Sequence, residues 1–235
     1  MSAERLAPAQ LEQLRSLSSC LVASAIETFA VRLHNKGFSD SRLHCTFKDL
    51  PITVGYAATA RIRSADPPME GGNYYDYYDR GDWWESVLRI PPPRVVVIED
   101  LDASPGRGAF IGEVHANILL ALGCVAVVTN GAVRDLPEVR KTGLQMFAGN
   151  ISVSHAYAHV FDFGGTVEIA GLTVRPGDLI QGDLHGAQTI PLEIADRVPA
   201  RALELAEKRK ELIALCARDD FSIKEFCQKV KELKS

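Results

Sequence analysis

Hydrophobic residues recur along the chain in two alternating patterns, one helical and one extended. Helical spacing predicts a first helix over residues 8–17 and a second over 21–33, with Ser18 and Ser19 between them as caps. Residues 52–63 alternate between apolar and polar positions, which predicts a strand. The N-terminal third therefore reads as two helices followed by a strand.

The middle of the chain alternates strands and helices. Near-continuous apolar runs, typical of strands buried on both faces, predict strands over 91–100, 124–131 and 144–149. Helices are predicted between them, over 113–123 and 134–143. Strands that alternate with helices indicate an α/β layered fold.

The pattern changes after residue 152. Short strands joined by glycine turns predict a β meander over 166–191, and two amphipathic helices follow over 196–215 and 221–233. We expect an α/β domain over 1–192. The C-terminal helical extension, 193–235, is expected to pack on its own subunit or on a neighbour.

An aromatic segment interrupts the alternation at residues 66–84. It holds four of the six tyrosines and both tryptophans, and its end predicts a short helix over 82–88. One interpretation is a loop packed over the core. The other is a lid or a subunit contact, because aromatic residues are enriched at interfaces.

Composition and charge narrow the functional class. The 235 residues carry a formal net charge of -4, which argues against nucleic-acid binding. The five cysteines form no CxxC pair, which favours a reducing compartment over a disulfide framework. Since no apolar run approaches the roughly 20 residues of a membrane span, we expect a cytoplasmic protein without membrane binding.

One candidate anion site precedes the helix predicted at 113–123. Gly112 comes directly before it, and the first amides of a helix can bind a carboxylate or a phosphate. Every helix has such an end, so this signal is weak alone.

A second candidate follows the next strand, where Arg134 and Asp135 are adjacent. Asp135 could cap the following helix, with Glu138 completing a capping box, and Arg134 could be a paired surface residue. Alternatively, Arg134 holds an oxyanion and Asp135 holds a hard divalent cation, largely through water. In a parallel sheet both loops open at the same edge, so helix amides and arginine could converge on one small oxoacid.

Other polar residues are weaker candidates. Asp183 and His185 could face a site, but hydrogen bonds within a turn are the favoured interpretation. His155 and His159 are four apart, which on a helix would make a metal pair. The surrounding alternation fits a strand equally well, and we do not favour a zinc site.

Four motifs together resemble a known family. They are GYAATA, GEVHAN, ALGCVAVVTNGAVRDLPEV and RPGDLIQGDLHGAQTIP, and the likeness covers residues 21–191. The sequence is similar to the family of the regulator of ribonuclease activity A (RraA) and the 4-hydroxy-4-methyl-2-oxoglutarate aldolases, formerly described as demethylmenaquinone methyltransferases. The resemblance implies an α/β/β swivelling-domain fold, a homotrimer or homohexamer, and an active site at a subunit interface.

The resemblance also implies a metal-dependent lyase. Its substrate would be a 4-hydroxy-2-oxo acid, cleaved to pyruvate through a metal-stabilised enolate, with possible decarboxylation of oxaloacetate. Mg²⁺ or Mn²⁺ would bind at Asp135, and Arg134 would contact the 2-oxo oxygen. The substrate carboxylate would meet the backbone amides of Gly112, Glu113, Val114 and His115.

Some features depart from the aldolases. The second predicted helix lacks the serine-aspartate pair that family members often carry, and the aromatic segment is longer. A glutamate from a neighbouring subunit reaches the aldolase site, and here Glu204, Glu207 and Glu211 are all candidates. The alternatives are therefore a related lyase or dehydratase acting on a different acid, or a non-enzymatic regulator of a ribonuclease.

Overall fold

The computed structural model describes residues 5–69, 78 and 80–234. Within them, seven helices and eleven strands follow one another along the chain. The helices are α1 (Pro8–Arg15), α2 (Ser19–Glu27), α3 (Gly81–Arg89), α4 (Glu113–Ala121), α5 (Leu136–Thr142), α6 (Val198–Cys216) and α7 (Ile223–Lys234). The strands are β1 (His44–Cys45), β2 (Thr53–Arg63), β3 (Arg94–Asp100), β4 (Ala109–Ile111), β5 (Cys124–Val133), β6 (Gln145–Ile151), β7 (His159–Phe163), β8 (Val167–Ile169), β9 (Leu172–Val174), β10 (Leu179–Asp183) and β11 (Gly186–Ile190).

A mixed sheet forms the centre of the molecule. Its strands follow the order β1-β6-β5-β3-β2-β10-β11, with β4 added beside β5 and β7 beside β2. The four central strands, β2, β3, β5 and β6, are parallel, and the strands at both ends of the order pair antiparallel. The parallel strands carry all their carboxyl ends to one edge, where ligands of α/β proteins gather.

The sheet separates two apolar layers. Along β3, Val96 and Ile98 face α3, α4 and α5, whereas Val95 and Val97 face the separate β8–β9 hairpin. Successive side chains of a strand point to opposite faces, so a continuous apolar run is needed when both faces are covered. A third cluster joins α1, α2 and the start of α6 to β2, β10 and β11. The predicted α/β/β layered fold is confirmed.

Several predicted boundaries were wrong. The second helix ends at Glu27 instead of near residue 33, because the chain turns through a left-handed Ala30 (φ 52°) and Arg32 binds Thr189 of β11. The strand predicted over 124–131 was also too short, because β5 continues to Val133, where it pairs with β4 and β6. Strands β1, β4 and β7 were not predicted.

The C-terminal half follows the predicted pattern. The β meander consists of two hairpins, β8–β9 and β10–β11, and α6 and α7 follow it. The first turns of α6 bury Val198 and Ala202 against this chain's own helices. The later part of α6 is largely exposed or half-buried, and α7 packs on it.

The aromatic segment packs on the core where it is described. Trp83 of α3 is 1% exposed and lies in the cluster between the sheet and the helices, with Trp84 against its edge. This agrees with the interpretation of a segment packed over the core. The lid or subunit-contact interpretation concerns mainly residues 70–77 and 79, which lie outside the described residues.

Across the described ranges, no helix combines the length and the apolar character that crossing a bilayer would require.

Candidate active site

Two loops leave the carboxyl edge of the sheet side by side. Strand β4 lies parallel to β5, with Ile111 opposite Val133. The amide of Arg134 then donates to the carbonyl of Ile111 at 2.9 Å. Because the chain enters α4 directly after β4 and α5 directly after β5, Gly112 and Arg134 are held next to each other.

The Asp135 carboxylate joins the two loops. Its Oδ2 accepts a hydrogen bond from the backbone N–H of Glu113 at 3.1 Å, and its Oδ1 accepts one from Nε of Arg134 at 3.0 Å. Glu113 is the first residue of α4, so the carboxylate lies at the positive end of that helix. The sequence placed these groups at one edge, and the structure brings them into direct contact.

The interpretation of Asp135 as a cap of its own helix was wrong. Asp135 does precede α5, but its backbone is left-handed (φ 53°, ψ 42°) and its side chain makes no cap hydrogen bond to α5. A side chain caps its own helix from an extended backbone conformation. In the left-handed conformation the carboxylate turns to α4 instead.

Gly112 permits this contact. A Cβ at this position would lie 2.5 Å from Oδ2 of Asp135 and 3.0 Å from Cγ of Arg134. Its φ of −140° is accessible to any residue, so the requirement for glycine is steric. A side chain at position 112 would displace the Asp135 carboxylate.

The pair is charged and accessible. Burial alone would raise the pKa of Asp135, but the Glu113 amide and the Arg134 guanidinium outweigh it, so the pKa lies below its ordinary value. The side chains of Arg134 and Asp135 are 29% and 31% exposed. A fixed carboxylate and a guanidinium are therefore available to a small molecule at neutral pH.

His115 lies in the first turn of α4, and its side chain is buried in the core. Its side chain is 1% exposed and stacks among aromatic rings, with centroids 4.7 Å from Phe110, 5.0 Å from Tyr78 and 5.9 Å from Trp84. The ring therefore fixes α4 on the core. The backbone N–H groups in the first turn of a helix have no acceptor within the helix. Of the four amides predicted to bind a carboxylate, at residues 112–115, that of Glu113 donates to Asp135, and the carboxylate site stays a prediction.

The remaining polar candidates fall elsewhere. Asp183 accepts hydrogen bonds from Oγ and N of Ser19 and from N of His185, at 2.7–2.9 Å, which agrees with the predicted turn. A helical His155–His159 pair does not form, because His155 lies in a turn and His159 begins β7. Within the described part of the chain, no group of three or more His, Cys, Asp or Glu side chains could hold a metal ion.

The three candidate glutamates on α6 all form ion pairs within this chain. Glu204 pairs with Arg201 and Lys208, Glu207 with Lys210, and Glu211 with Lys229. A role for one of them in a neighbour's site stays a prediction.

His155 contacts strand β4, which the sequence did not reveal. Its Nδ1 lies 2.7 Å from the carbonyl oxygen of Ala109, the first residue of β4. Spacing gave no signal for this position, because the contact arises between a loop after β6 and strand β4, 46 residues apart.

Comparison with known families identifies the family of this chain. The sequence model of the RraA-like family, described as Aldolase/RraA, matches residues 21–188. The chain belongs to the RraA-like family. The match contains the α4 and α5 loops and nearly all of the motifs described above, as the resemblance predicted.

A curated relative of this chain carries an aldolase name. A 108-residue stretch, 46% of this chain, is 27% identical to a Halalkalibacterium halodurans protein named "Putative 4-hydroxy-4-methyl-2-oxoglutarate aldolase" and covers 50% of that protein. The chain spans half or less of the length of the curated relatives that it matches.

Solved structures support the RraA-like fold. An uncharacterised Pseudomonas syringae protein has a TM-score of 0.72 at 17% identity, over 97% of both chains. Streptomyces coelicolor RraAS2, described as an unusual member of the RNase ES inhibitor RraA family, has a TM-score of 0.68 at 20% identity, over 88% of this chain and 96% of that one. At these identities the likeness concerns the fold alone.

Proposed function

We propose that this protein is a divalent-metal-dependent lyase that cleaves a 4-hydroxy-2-oxo acid to pyruvate. The proposal is based on one observation: the Asp135 carboxylate does not cap its own helix, α5, but accepts hydrogen bonds from the first amide of α4 and from Arg134. A helix N-terminus, a guanidinium and a fixed carboxylate thus meet at one accessible point. A small dianionic oxoacid and a divalent cation match this set of groups.

The residues fit Mg²⁺ or Mn²⁺. Mg²⁺ keeps several waters and commonly binds through one or two carboxylates together with its substrate. Asp135 is charged, partly exposed and held in place, so it would hold such an ion without a cage of protein ligands. When bound, the ion would supply Lewis-acid polarisation of the substrate's 2-oxo group.

The protein groups have separate tasks. The α4 amides bind the C1 carboxylate, and the Arg134 guanidinium donates to the 2-oxo oxygen. Loss of the 4-hydroxyl proton breaks the C3–C4 bond, so C4 becomes a carbonyl and the bonding electrons form the enolate of pyruvate. Arg134 stabilises the negative charge that develops on the enolate oxygen. A proton then added at C3 gives pyruvate, and oxaloacetate could lose CO₂ through the same enolate.

Self-association is part of the proposal. Large apolar side chains are exposed along the carboxyl edge of the sheet near the site, including Val114 (48%), Ile151 (66%), Val153 (93%) and Tyr157 (53%). Exposed apolar patches of this kind mark interaction sites. A homotrimer or homohexamer that covers this edge would place a neighbouring chain beside the Arg134–Asp135 pair.

The test measures pyruvate release from a panel of 4-hydroxy-2-oxo acids and oxaloacetate, with Mg²⁺ or Mn²⁺ and with chelator. We expect turnover that needs the metal, and a loss of at least about 100-fold in Asp135→Asn, because fixed electrostatic groups at developing charge contribute that much. Asp162→Asn is the matched control, since Asp162 pairs with Arg61 at similar exposure (37% and 35%).

Two results would contradict the proposal. Turnover that survives both chelation and Asp135→Asn would remove the metal role. A wild-type protein that is inactive on the whole panel would favour the alternative of a ribonuclease regulator.

A further inference from the structure

The loop of residues 101–108, between β3 and β4, leads into one half of the candidate site. The chain passes from it through β4 directly into Gly112 and the first turn of α4. Three polar residues at the foot of this loop are buried: Ser64 (0% exposed), Asp100 (2%) and the side chain of Asp102 (6%). Their contacts therefore fix the path by which the chain enters β4.

Each of the two carboxyl groups binds a different part of the backbone. The Asp100 carboxyl accepts the amides of Asp102 at 3.1 Å and of Gly106 at 2.8 Å, so it folds the loop on itself. The Asp102 carboxylate accepts the amides of Ser64 at 2.8 Å and of Ala65 at 2.7 Å, so it fastens the loop to the end of β2. Buried carboxyl groups need such partners, because burial without them is costly.

The Ser64 hydroxyl joins the two carboxyl groups. Its Oγ lies 2.9 Å from Oδ2 of Asp102 and 3.3 Å from Oδ2 of Asp100, and it accepts the amide of Gly108 at 3.2 Å. A serine hydroxyl has one proton to donate and can accept two hydrogen bonds. The shorter contact takes the hydroxyl proton to Asp102, so a lone pair of Oγ faces Asp100. That contact becomes a full hydrogen bond only when Asp100 supplies a proton of its own.

The surroundings of Asp100 favour its neutral form. Burial raises the pKa of Asp100, and the charge of Asp102 adds to the shift, against the opposing hydrogen bonds. The titratable groups around the loop come from three elements: Asp102 from the loop itself, Arg63 from the end of β2, with Nη1 3.9 Å from Asp102, and His155 from the segment after β6, which bonds β4. Strand β5 presents the neutral Asn130, whose side chain bonds the Asp100 backbone.

We propose that Asp100 positions the loop through a proton that it shares with Ser64, so that the entry to the candidate site responds to pH. With the proton in place, Asp100 donates to Ser64 Oγ and its oxygens still accept the two loop amides. When the proton leaves, two buried negative charges compete for one hydroxyl proton, and the hold of Ser64 on the Gly108 amide loosens.

The sign of the effect follows from the raised pKa of Asp100. The folded state favours the protonated form, so the stabilisation is complete below the ordinary pKa of about 3.9 and is lost as the pH rises through the raised pKa. For the proposed lyase, Asp100 is then a positioning residue, and this consequence alone rests on that function.

Two measurements on the full-length protein test the loop without any substrate. Carbon-13 NMR of protein labelled in its aspartate carboxyl groups follows the titration from about pH 3 to about pH 8, and Asp100→Asn assigns the Asp100 signal by its absence. Amide hydrogen exchange gives the protection factor of Gly108 over the same range. Asp49→Asn is the matched control, because the Asp49 carboxylate pairs with Arg140 on the surface.

We expect the Asp100 carboxyl to titrate above the ordinary value of about 3.9. The protection factor of Gly108 should fall about 2–10-fold through the same pH step, the factor that the loss of one hydrogen bond implies. An asparagine amide donates to Ser64 Oγ at every pH, so Asp100→Asn should show no step at Gly108. Asparagine cannot accept the Gly106 amide in the same place, so Gly106 is not part of the readout. Asp49→Asn should keep the wild-type step.

The outcomes for the loop are decisive without any lyase activity. If Asp100 titrates at or below its ordinary value, or if the Gly108 step persists in Asp100→Asn, Asp100 does not hold the loop through a shared proton. If Asp100→Asn fails to fold, the pH dependence of Gly108 protection in the wild type still decides, because a flat profile would overturn the inference.

A pH profile of pyruvate release separates this inference from the proposed function. In the wild type, kcat should fall through the same pH step as the protection of Gly108, and the step should vanish in Asp100→Asn. An active wild type whose kcat shows no such step would refute the positioning role. A wild type that shows the loop step but releases no pyruvate would overturn the lyase and leave the loop device intact.

Discussion

Substitution of Gly112 by alanine tests the convergence of the two loops without removing any functional group. The added Cβ would lie 2.5 Å from Oδ2 of Asp135, a distance that real Cβ contacts do not show, so the carboxylate must move. Backbone strain is not involved, because φ at this position is −140°. The expected loss is that of the bond between Asp135 and the Glu113 amide.

The size of the effect follows from that bond. A hydrogen bond to a charged group contributes about 1.5–3 kcal/mol, and partial exposure of Asp135 favours the lower figure. In a chain of this length, about 1.5 kcal/mol lowers Tm by roughly 3–6 °C. The rate of pyruvate release should also fall, by about 100-fold, because a displacement of about 1 Å at a catalytic group can lower the rate by that factor.

A double-mutant cycle gives the measurement. Thermal unfolding of Gly112→Ala, Asp135→Asn and the double variant should show coupling of about 1 kcal/mol, since both changes disturb one contact. Gly165→Ala is the control, as a Cβ there would meet nothing within 4 Å. Additive losses, or a Gly112→Ala variant with wild-type pyruvate release, would refute the reasoning.

Further predictions concern stability, reactivity and assembly. Burial alone would raise the pKa of Asp183, but hydrogen bonds from His185 and Ser19 keep it below its ordinary value. The ionised Asp183 carboxylate therefore stabilises the folded protein above about pH 4, and this stabilisation is lost as the pH falls through the lowered pKa. In urea unfolding at pH 7, the Asp183→Asn variant should be about 1.5–3 kcal/mol less stable than the wild type, and acidification should lower its free energy of unfolding less. Parallel dependence of the two free energies of unfolding on pH would contradict this prediction. Cys45 and Cys124 are buried, and burial raises the pKa of Cys124 to about 12. A thiol reagent should therefore label three of the five cysteines in the native protein and all five in guanidinium. Rapid labelling of Cys124 in the native protein would contradict this prediction. Val153→Asp should reduce the mass measured by light scattering to that of a monomer, and an unchanged oligomer would exclude the exposed edge as the interface.

The layered core could be predicted because its signal is local. The run from Val95 to Ile98 is apolar at every position, which by itself indicates a strand covered on both faces. The convergence of Gly112 with Arg134 also followed from the order of elements, since parallel strands open their loops at one edge. The apolar pattern of each strand and the order of strands and helices were sufficient for these two predictions.

The details of the site depended on contacts between distant residues. Strand Ala109–Ile111 is too short to show a period, and it exists because the far end of β5 pairs with it. Asp135 has the residue type and spacing of a helix cap, but its left-handed backbone sends the carboxylate to α4. The spacing of His155 and His159 gave no indication of the contact between Nδ1 of His155 and the carbonyl oxygen of Ala109.

The left-handed backbone at position 135 restricts which residues could replace the aspartate in other members of this lineage. Apart from glycine, asparagine and aspartate tolerate φ near 53° best, and most other side chains cost roughly 1–2 kcal/mol there. Loss of the negative charge during divergence is therefore expected to leave asparagine or glycine at this position. A homologue with either residue, in an otherwise intact loop, would have kept the fold of the site while losing its charge.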